Sequence, residues 1–203
     1  MIAFGGDAIL LNVGGGSRDY GPNVLNLDIT PGPRIGVVGV AEQLPFADAS
    51  FDGVILQAVL EHVVDEGETI AECTRVLRPQ GKLLVEVPFI QGYHADPGDY
   101  RRYTEGGLRQ LVERHGLCAE ASGVSMGPAS ALAWILAEFL ALLVSFRSDK
   151  VYRFARLATT FVAWPLKFLD RLLDRHPKAH VIASEVWVVG TKLAPDEQPI
   201  VSE

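Results

Sequence analysis

Short β-branched runs, each closed by glycine or proline, fill the first part of the chain and leave few folds open. Residues 8–13 form an apolar run that ends in Gly14-Gly15-Gly16. Residues 23–29, 35–40 and 51–56 supply three more such runs, and residues 82–87 a fifth, stopped by Pro88. Between the fourth and fifth runs, residues 66–77 place Ile70, Cys73, Val76 and Leu77 at helical spacing, and Arg78-Pro79-Gln80-Gly81 ends that helix. Strands alternating with helical stretches predict a parallel sheet covered on both faces and wound by right-handed crossovers. Residues 104–115 read as a further helix, capped by Thr104 and ended by Gly116. Residues 117–124 and 184–193 regain strand character, and residues 194–203 form a polar tail expected to fray.

Charge and cysteine usage narrow the function. The 203 residues carry 18 Lys and Arg against 25 Asp and Glu, a formal net charge of −7. A chain that tracks nucleic-acid phosphates shows the opposite balance, so no nucleic-acid partner is expected. Cys73 and Cys118 make neither a disulfide framework nor a zinc spacing, and they fit a reducing compartment. Met1 to Asp7 lack a basic segment and a long apolar core, so no signal peptide is expected and the location reads as cytoplasmic.

A strand running into Gly14-Gly15-Gly16 suits a ligand that needs close backbone approach, because glycine has no Cβ and tolerates positive φ. A helix starting after it would offer free N–H groups. A dinucleotide fingerprint fails here: Asp19 stands where its third glycine belongs, and Asp28 comes earlier than the usual spacing of about 20 residues.

A longer set of motifs agrees in order and spacing. It comprises Leu10-Leu11-Asn12-Val13-Gly14-Gly15-Gly16, Asn26-Leu27-Asp28-Ile29, the stretch from Ala41-Glu42-Gln43-Leu44-Pro45-Phe46 to Phe51-Asp52, Leu60-Glu61-His62-Val63, and Arg75-Val76-Leu77-Arg78-Pro79. These resemble the class I S-adenosylmethionine (SAM)-dependent methyltransferases of the type 11 kind, over roughly residues 8–123 and again at 184–192. The resemblance implies a Rossmann-like α/β fold in a single domain spanning residues 1–203. Its seven-stranded, mostly parallel sheet would have the last strand antiparallel between strands five and six, with a helical insertion (residues 126–180) before it. It implies SAM as cofactor, held by Asn12, Gly14, Gly15, Gly16, Asp28, Ile29, Ala41, Glu42 and Gln57. In that reading Asp28 accepts the ribose hydroxyls, Ile29 packs on adenine, Ala41 and Glu42 meet the adenine edge, and Gln57 lies near the methionine amino group. The chain departs from the pattern at Asn12, Arg18 and Val40, where the family commonly has an acid, a glycine and an acid. The first strand is expected to begin almost at Met1, without the N-terminal helices common in the family.

Methyl transfer needs a nucleophile held close and aligned, and a base only where the acceptor must lose a proton. The segment from Pro88 to Thr104 offers His94 as base, Asp96 or Asp99 to orient it, and Arg101 with Arg102 to hold an anionic acceptor. The alternative is a structured loop in which Asp99 and the arginines pair with each other. A similar segment occurs in family members associated with bacterial cell-envelope glycan pathways, so the resemblance implies a polar or lipid-linked small-molecule acceptor. Glu61 and His62 read most simply as residues that cap and pack a helix start, and Cys73 as core.

Residues 126–146 contain one charge, Glu138, and the sign then flips: residues 147–178 hold eight Lys and Arg against three Asp. This insertion reads first as a lid or homodimer contact, then as a peripheral contact on the inner membrane face, and last as a true span. Pro165 should kink or split its second part. The rival to an enzyme is a catalytically inactive methyltransferase-like module for interaction or membrane docking, motivated by Asn12, Arg18 and Val40.

Overall fold

The computed structural model describes residues 7–16 and 18–194. The expectations for the chain start and for the tail beyond Ala194 lie outside the described residues. Seven strands form one sheet: β1 (Leu10–Val13), β2 (Val24–Asp28), β3 (Val37–Val38), β4 (Phe51–Gln57), β5 (Leu77–Pro88), β6 (Leu117–Met126) and β7 (Glu185–Lys192). Their spatial order is β3-β2-β1-β4-β5-β7-β6. The first five pair parallel, and β7 runs antiparallel between β5 and β6, as expected. Val186 and Val188 are fully buried, so the final strand enters the core rather than closing an edge.

The helices differ from expectation in one respect. α1 (Glu66–Val76) joins β4 to β5 and α2 (Glu105–Arg114) joins β5 to β6, but among the described residues no helix precedes β4. The glycine turn therefore leads into a loop and not into a helix start. Residues 14–23 are too few for a usual crossover helix, which takes a dozen residues or more. Asp65 caps α1 by accepting from the Glu68 backbone N–H, and Thr104 caps α2 through Gly107, as its sequence position predicts.

Strand bounds shift where turn residues intervene. β3 covers two residues instead of the six expected, because Gly36 and Gly39 flank it and donate to Asn26 and Asp28 outside the regular ladder. β5 starts at Leu77, directly after α1, and not at Lys82. Leu77 pairs with Phe51, and the register shifts before Lys82 pairs with Gly53. The sequence Arg78-Pro79-Gln80-Gly81 thus makes an irregularity within a strand.

After β6 the chain leaves the sheet as a hairpin of α3 (Pro128–Ser145) and α4 (Asp149–Ala163). A 3₁₀ turn (Trp164–Leu169) and the short α5 (Asp170–Leu173) follow, so the helix splits at Pro165 as anticipated. Gly127 has no side chain with which to cap α3. The buried Asp170 does so instead, accepting from Ala129 N at 2.7 Å and Ser130 N at 2.9 Å. The main core lies on the sheet, with Leu11, Leu27, Leu56, Leu60, Ile70 and Leu83 essentially without exposure.

Candidate functional site

The parallel strands β1, β2, β4 and β5 end along one edge of the sheet, the side on which open α/β sheets bind ligands. There β1 runs into the glycine turn. Gly14 has φ +69°, and a Cβ there would stand 2.2 Å from Val59 Cγ2, so only glycine fits. Gly16 also has positive φ (+51°) but meets nothing within 4 Å, so its side faces open space. Asp28 ties this turn to the end of β2. Its Oδ2 accepts from Gly16 N and its Oδ1 from Thr30 N, both at 2.9 Å. Each oxygen keeps a lone pair for a further donor.

Asn12 serves the turn from below. Its Nδ2 donates to Asn26 Oδ1 at 2.9 Å, and Asn26 Nδ2 in turn donates to the carbonyls of Arg18 and Arg34. Ile29 is 59% exposed beside Asp28. Ala41 is buried in the loop after β3, and Glu42 reaches across to accept from Val64 N at 3.3 Å. The structure therefore gathers Gly14, Gly15, Gly16, Asp28 and Ile29 at one end of that edge and brings Glu42 to the segment after β4. It places Asn12 beneath the turn, where its amide is used by Asn26. Gln57, at the end of β4, accepts from Arg18 Nη1 and from Tyr20 Oη at 2.7 Å, and donates to Glu86 Oε1 at 2.8 Å.

The second half of the site assembles around Glu61, which is 0% exposed. Neither of its carboxylate oxygens has a hydrogen-bond partner among the described residues. His62 Nε2 lies 3.6 Å and His94 Nε2 3.8 Å from Glu61 Oε1. The two imidazoles stand edge to face with ring centroids 5.3 Å apart. Their Nδ1 atoms face carbonyls, of Gly98 for His62 and of Gly92 for His94, which leaves each Nε2 as the atom turned toward the carboxylate. Burial pushes the Glu61 carboxyl above its ordinary range, and the nearby histidines and Arg102 only partly oppose this. The three donor atoms lie within 4.8 Å of one another, close enough to share a divalent cation.

Asp99 holds His94 through the backbone, accepting from His94 N at 2.7 Å, with its Oδ2 3.7 Å from His94 Nδ1. Arg102 grips Asp99 through its two terminal nitrogens, Nη1 and Nη2, holding the carboxyl pKa at about 2. Arg101 turns away from this cluster. It donates to the carbonyls of Val63 and Val64 at 2.8 Å and pairs with Glu66 at the start of α1. The role expected for Arg101, holding an acceptor, therefore finds no geometric support: its guanidinium anchors the loop after β4. Arg102 is the arginine that faces the histidine.

Residues given only a packing role by sequence stand at the centre. Glu61 and His62 follow β4 and His94 follows β5, so only the parallel pairing of those strands makes them neighbours. Glu86 and Glu185 add two carboxylates close by. Burial, then the neighbouring carboxylates, raises the Glu185 pKa. Trp134 of α3 reaches over the cluster, its ring centroid 5.7 Å from that of His94.

Comparison with known proteins finds similar sequences over part of the chain and similar folds over most of it. A methyltransferase-domain family model matches residues 17–85, about a third of the chain. A protein of Mycolicibacterium smegmatis, named as a probable S-adenosylmethionine-dependent methyltransferase, is 44% identical over 95 residues, covering 43% of this chain and 37% of that protein. The ubiquinone/menaquinone biosynthesis C-methyltransferase UbiE of Hahella chejuensis is 38% identical over 86 residues, covering 42% of this chain and 34% of its own length. The alignments thus span about a third of these relatives.

Among solved structures, the 1,6-didemethyltoxoflavin N1-methyltransferase of Burkholderia thailandensis, with its substrate and S-adenosylhomocysteine bound, superposes with TM-score 0.56 at 18% identity. That match covers 92% of this chain and 72% of the other. The [4+2]-cyclase SpnF superposes with TM-score 0.58 at 17% identity, covering 93% and 76%. The fold is the class I methyltransferase fold. Over the matched stretch, residues 17–85, the sequence is similar to methyltransferase domains, and the relatives it matches include proteins named as S-adenosylmethionine-dependent methyltransferases.

Proposed function

We propose that the chain binds SAM at the ends of β1, β2 and β4 and transfers its methyl group to a polar or lipid-linked small molecule held against His94. The observation that carries this reading is that a glycine turn tied to Asp28 and a buried carboxylate–histidine cluster both follow the carboxyl ends of parallel strands along one edge of the sheet. SAM supplies a methyl group on a sulfonium, open to in-line displacement by a nucleophile.

The residues present fit that ligand. Asp28 has lone pairs left for two ribose hydroxyls, Ile29 offers an apolar face, and Gly16 leaves room above the turn. Arg18, beside Gln57, supplies a cation for a carboxylate. Glu86, which accepts from Gln57 at the end of β4, offers a carboxylate for a sulfonium or an ammonium. His94 Nε2 would take the proton from the acceptor, and Glu61, whose Oε1 lies 3.8 Å from that same nitrogen, stabilises the resulting imidazolium. Asp99 accepts from the His94 backbone N–H, and Arg102 donates to Asp99 and to the Gly92 carbonyl.

Calorimetric titration with S-adenosylhomocysteine tests the binding half, and transfer of labelled methyl into cell-extract small molecules tests the chemistry. Binding is expected, and its complete absence at millimolar ligand overturns the reading. His94→Ala is expected to lower turnover by roughly 10²–10⁴-fold with S-adenosylhomocysteine affinity unchanged. A second reading, binding without transfer, is favoured by the engagement of Gln57 with Arg18 and Tyr20. Cofactor binding with no methyl transferred to any extract fraction would support it.

A further inference from the structure

The α3–α4 hairpin is built inside out for a water-soluble element. Its buried seam is made of small residues, Ala133, Ala137 and Ala163, with Leu166 packed against them. The large apolar side chains face away from the protein: Phe139, Leu142, Leu143, Phe146, Phe154 and Phe161 are each between 59% and 88% exposed. A helical hairpin surrounded by water buries its large side chains and exposes its small ones. Small residues at the helix seam with bulky ones outward is the pattern of helices whose surroundings are themselves apolar. α3 also has a mean hydropathy of 1.8 over its 18 residues.

Charge selects the kind of surface. Residues 147–178 carry eight Lys and Arg against three Asp, a net of +5 within a chain of −7, which leaves −12 for the rest. Arg147, Lys150 and Arg153 sit at the hairpin turn beside Phe146 and Phe154. The acid of α3 is neutralised: Glu138 accepts from Tyr152 Oη and Arg156 Nε, both at 2.5 Å. Apolar side chains interleaved with free cations match an anionic bilayer, where phosphates pair with the cations and acyl chains receive the aromatics. A symmetric dimer through the same face would set two such cationic hairpins against each other. A span is disfavoured by α4, whose 15 residues include Asp149, Lys150, Arg153 and Arg156.

We propose that the α3–α4 hairpin docks this protein on the surface of an anionic lipid bilayer, with its exposed Phe and Leu side chains in the acyl boundary and its cations at the phosphates. Docking does not depend on the methyl-transfer reading. One consequence does: Trp134 of the same helix overhangs His94, so the membrane-bound element forms a wall of the candidate acceptor site and favours a lipid-linked acceptor.

The test is flotation of the full, untagged chain with phosphatidylglycerol-containing vesicles and with pure phosphatidylcholine vesicles, at low and high salt. The expected result is flotation with the anionic vesicles, roughly tenfold weaker on phosphatidylcholine and weakened by salt. The double charge reversal Arg147→Glu/Arg153→Glu is expected to weaken binding by roughly 25-fold or more, at about fivefold for each of the two cations removed. Phe146→Ser/Phe154→Ser does the same through the apolar term, and circular dichroism confirms that both variants are folded. Absence of wild-type flotation at low salt overturns the proposal. So does light scattering that finds a lasting dimer whose turn, at Arg147 and Lys150, is shielded from trypsin without lipid. S-adenosylhomocysteine binding, measured separately, keeps failure of docking distinct from failure of the enzymatic reading.

Discussion

Asn12 donates its side-chain amide to Oδ1 of Asn26 at 2.9 Å, and both side chains are buried. The Asn26 amide nitrogen is already engaged by two backbone carbonyls, so its oxygen requires a donor. An acid at position 12 would set acceptor against acceptor. The amide that departs from the family pattern thus has a partner that calls for it. Asn12→Asp is expected to destabilise the fold by about 1–3 kcal/mol at neutral pH. Urea denaturation reads this, and an unchanged midpoint would refute it.

Asp28 holds Gly16 N and Thr30 N, so its loss acts twice. Asp28→Ala is expected to weaken S-adenosylhomocysteine binding by at least about tenfold, the scale of a lost hydrogen bond to a charged group. It should also lower the melting temperature of the ligand-free protein, because the glycine turn loses its tether. Equal affinity in calorimetry would remove Asp28 from the ligand site.

The Asp99–Arg102 pair makes stability sensitive to acid. Arg102, and then the His94 N–H, hold the Asp99 carboxyl at about 2 against an ordinary 3.8. The folded value lies below the unfolded one, so the stabilisation is complete above pH 4 and is lost as pH falls toward 2. The shift corresponds to about 2 kcal/mol. In unfolding curves measured across that window, Asp99→Asn should lose this part of the pH dependence. Identical slopes for the two proteins would show that the pair does not titrate on unfolding.

Two cysteines should react very differently. Cys73 lies fully buried on α1, and burial pushes its thiol up to about 12, whereas Cys118 is exposed on β6. A chromogenic disulfide reagent should titrate one thiol per native chain and two after denaturation. Rapid reaction of both in the native state would contradict the packing of α1.

Much of the site is local and therefore visible in the chain. The glycine turn, the acid at the end of β2 and the Thr104 cap each follow from a residue type at a strand or helix end. The His94–Arg102 segment was readable as a functional loop, but the division of labour within it was not. Arg101 and Arg102 are adjacent, and which one faces His94 depends on how the loop lies against β4 and α1. Glu61 and His62 looked like ordinary helix-start residues because their partner lies across a strand pair, beyond the reach of any periodicity along the chain.

The amino-acid sequence alone determined the strand order of appearance, the antiparallel final strand by resemblance, the site of the helical insertion and its reversal of charge. Those features depend on local propensity and on patterns a few residues long. Tertiary structure alone decided that Glu61 meets His62 and His94 with no hydrogen-bond partner among the described residues, that Asn12 belongs to Asn26, and that the hairpin turns its alanines inward and its phenylalanines out. Apolar periodicity identifies a helix and its faces, but which face is covered depends on what the rest of the chain brings to it.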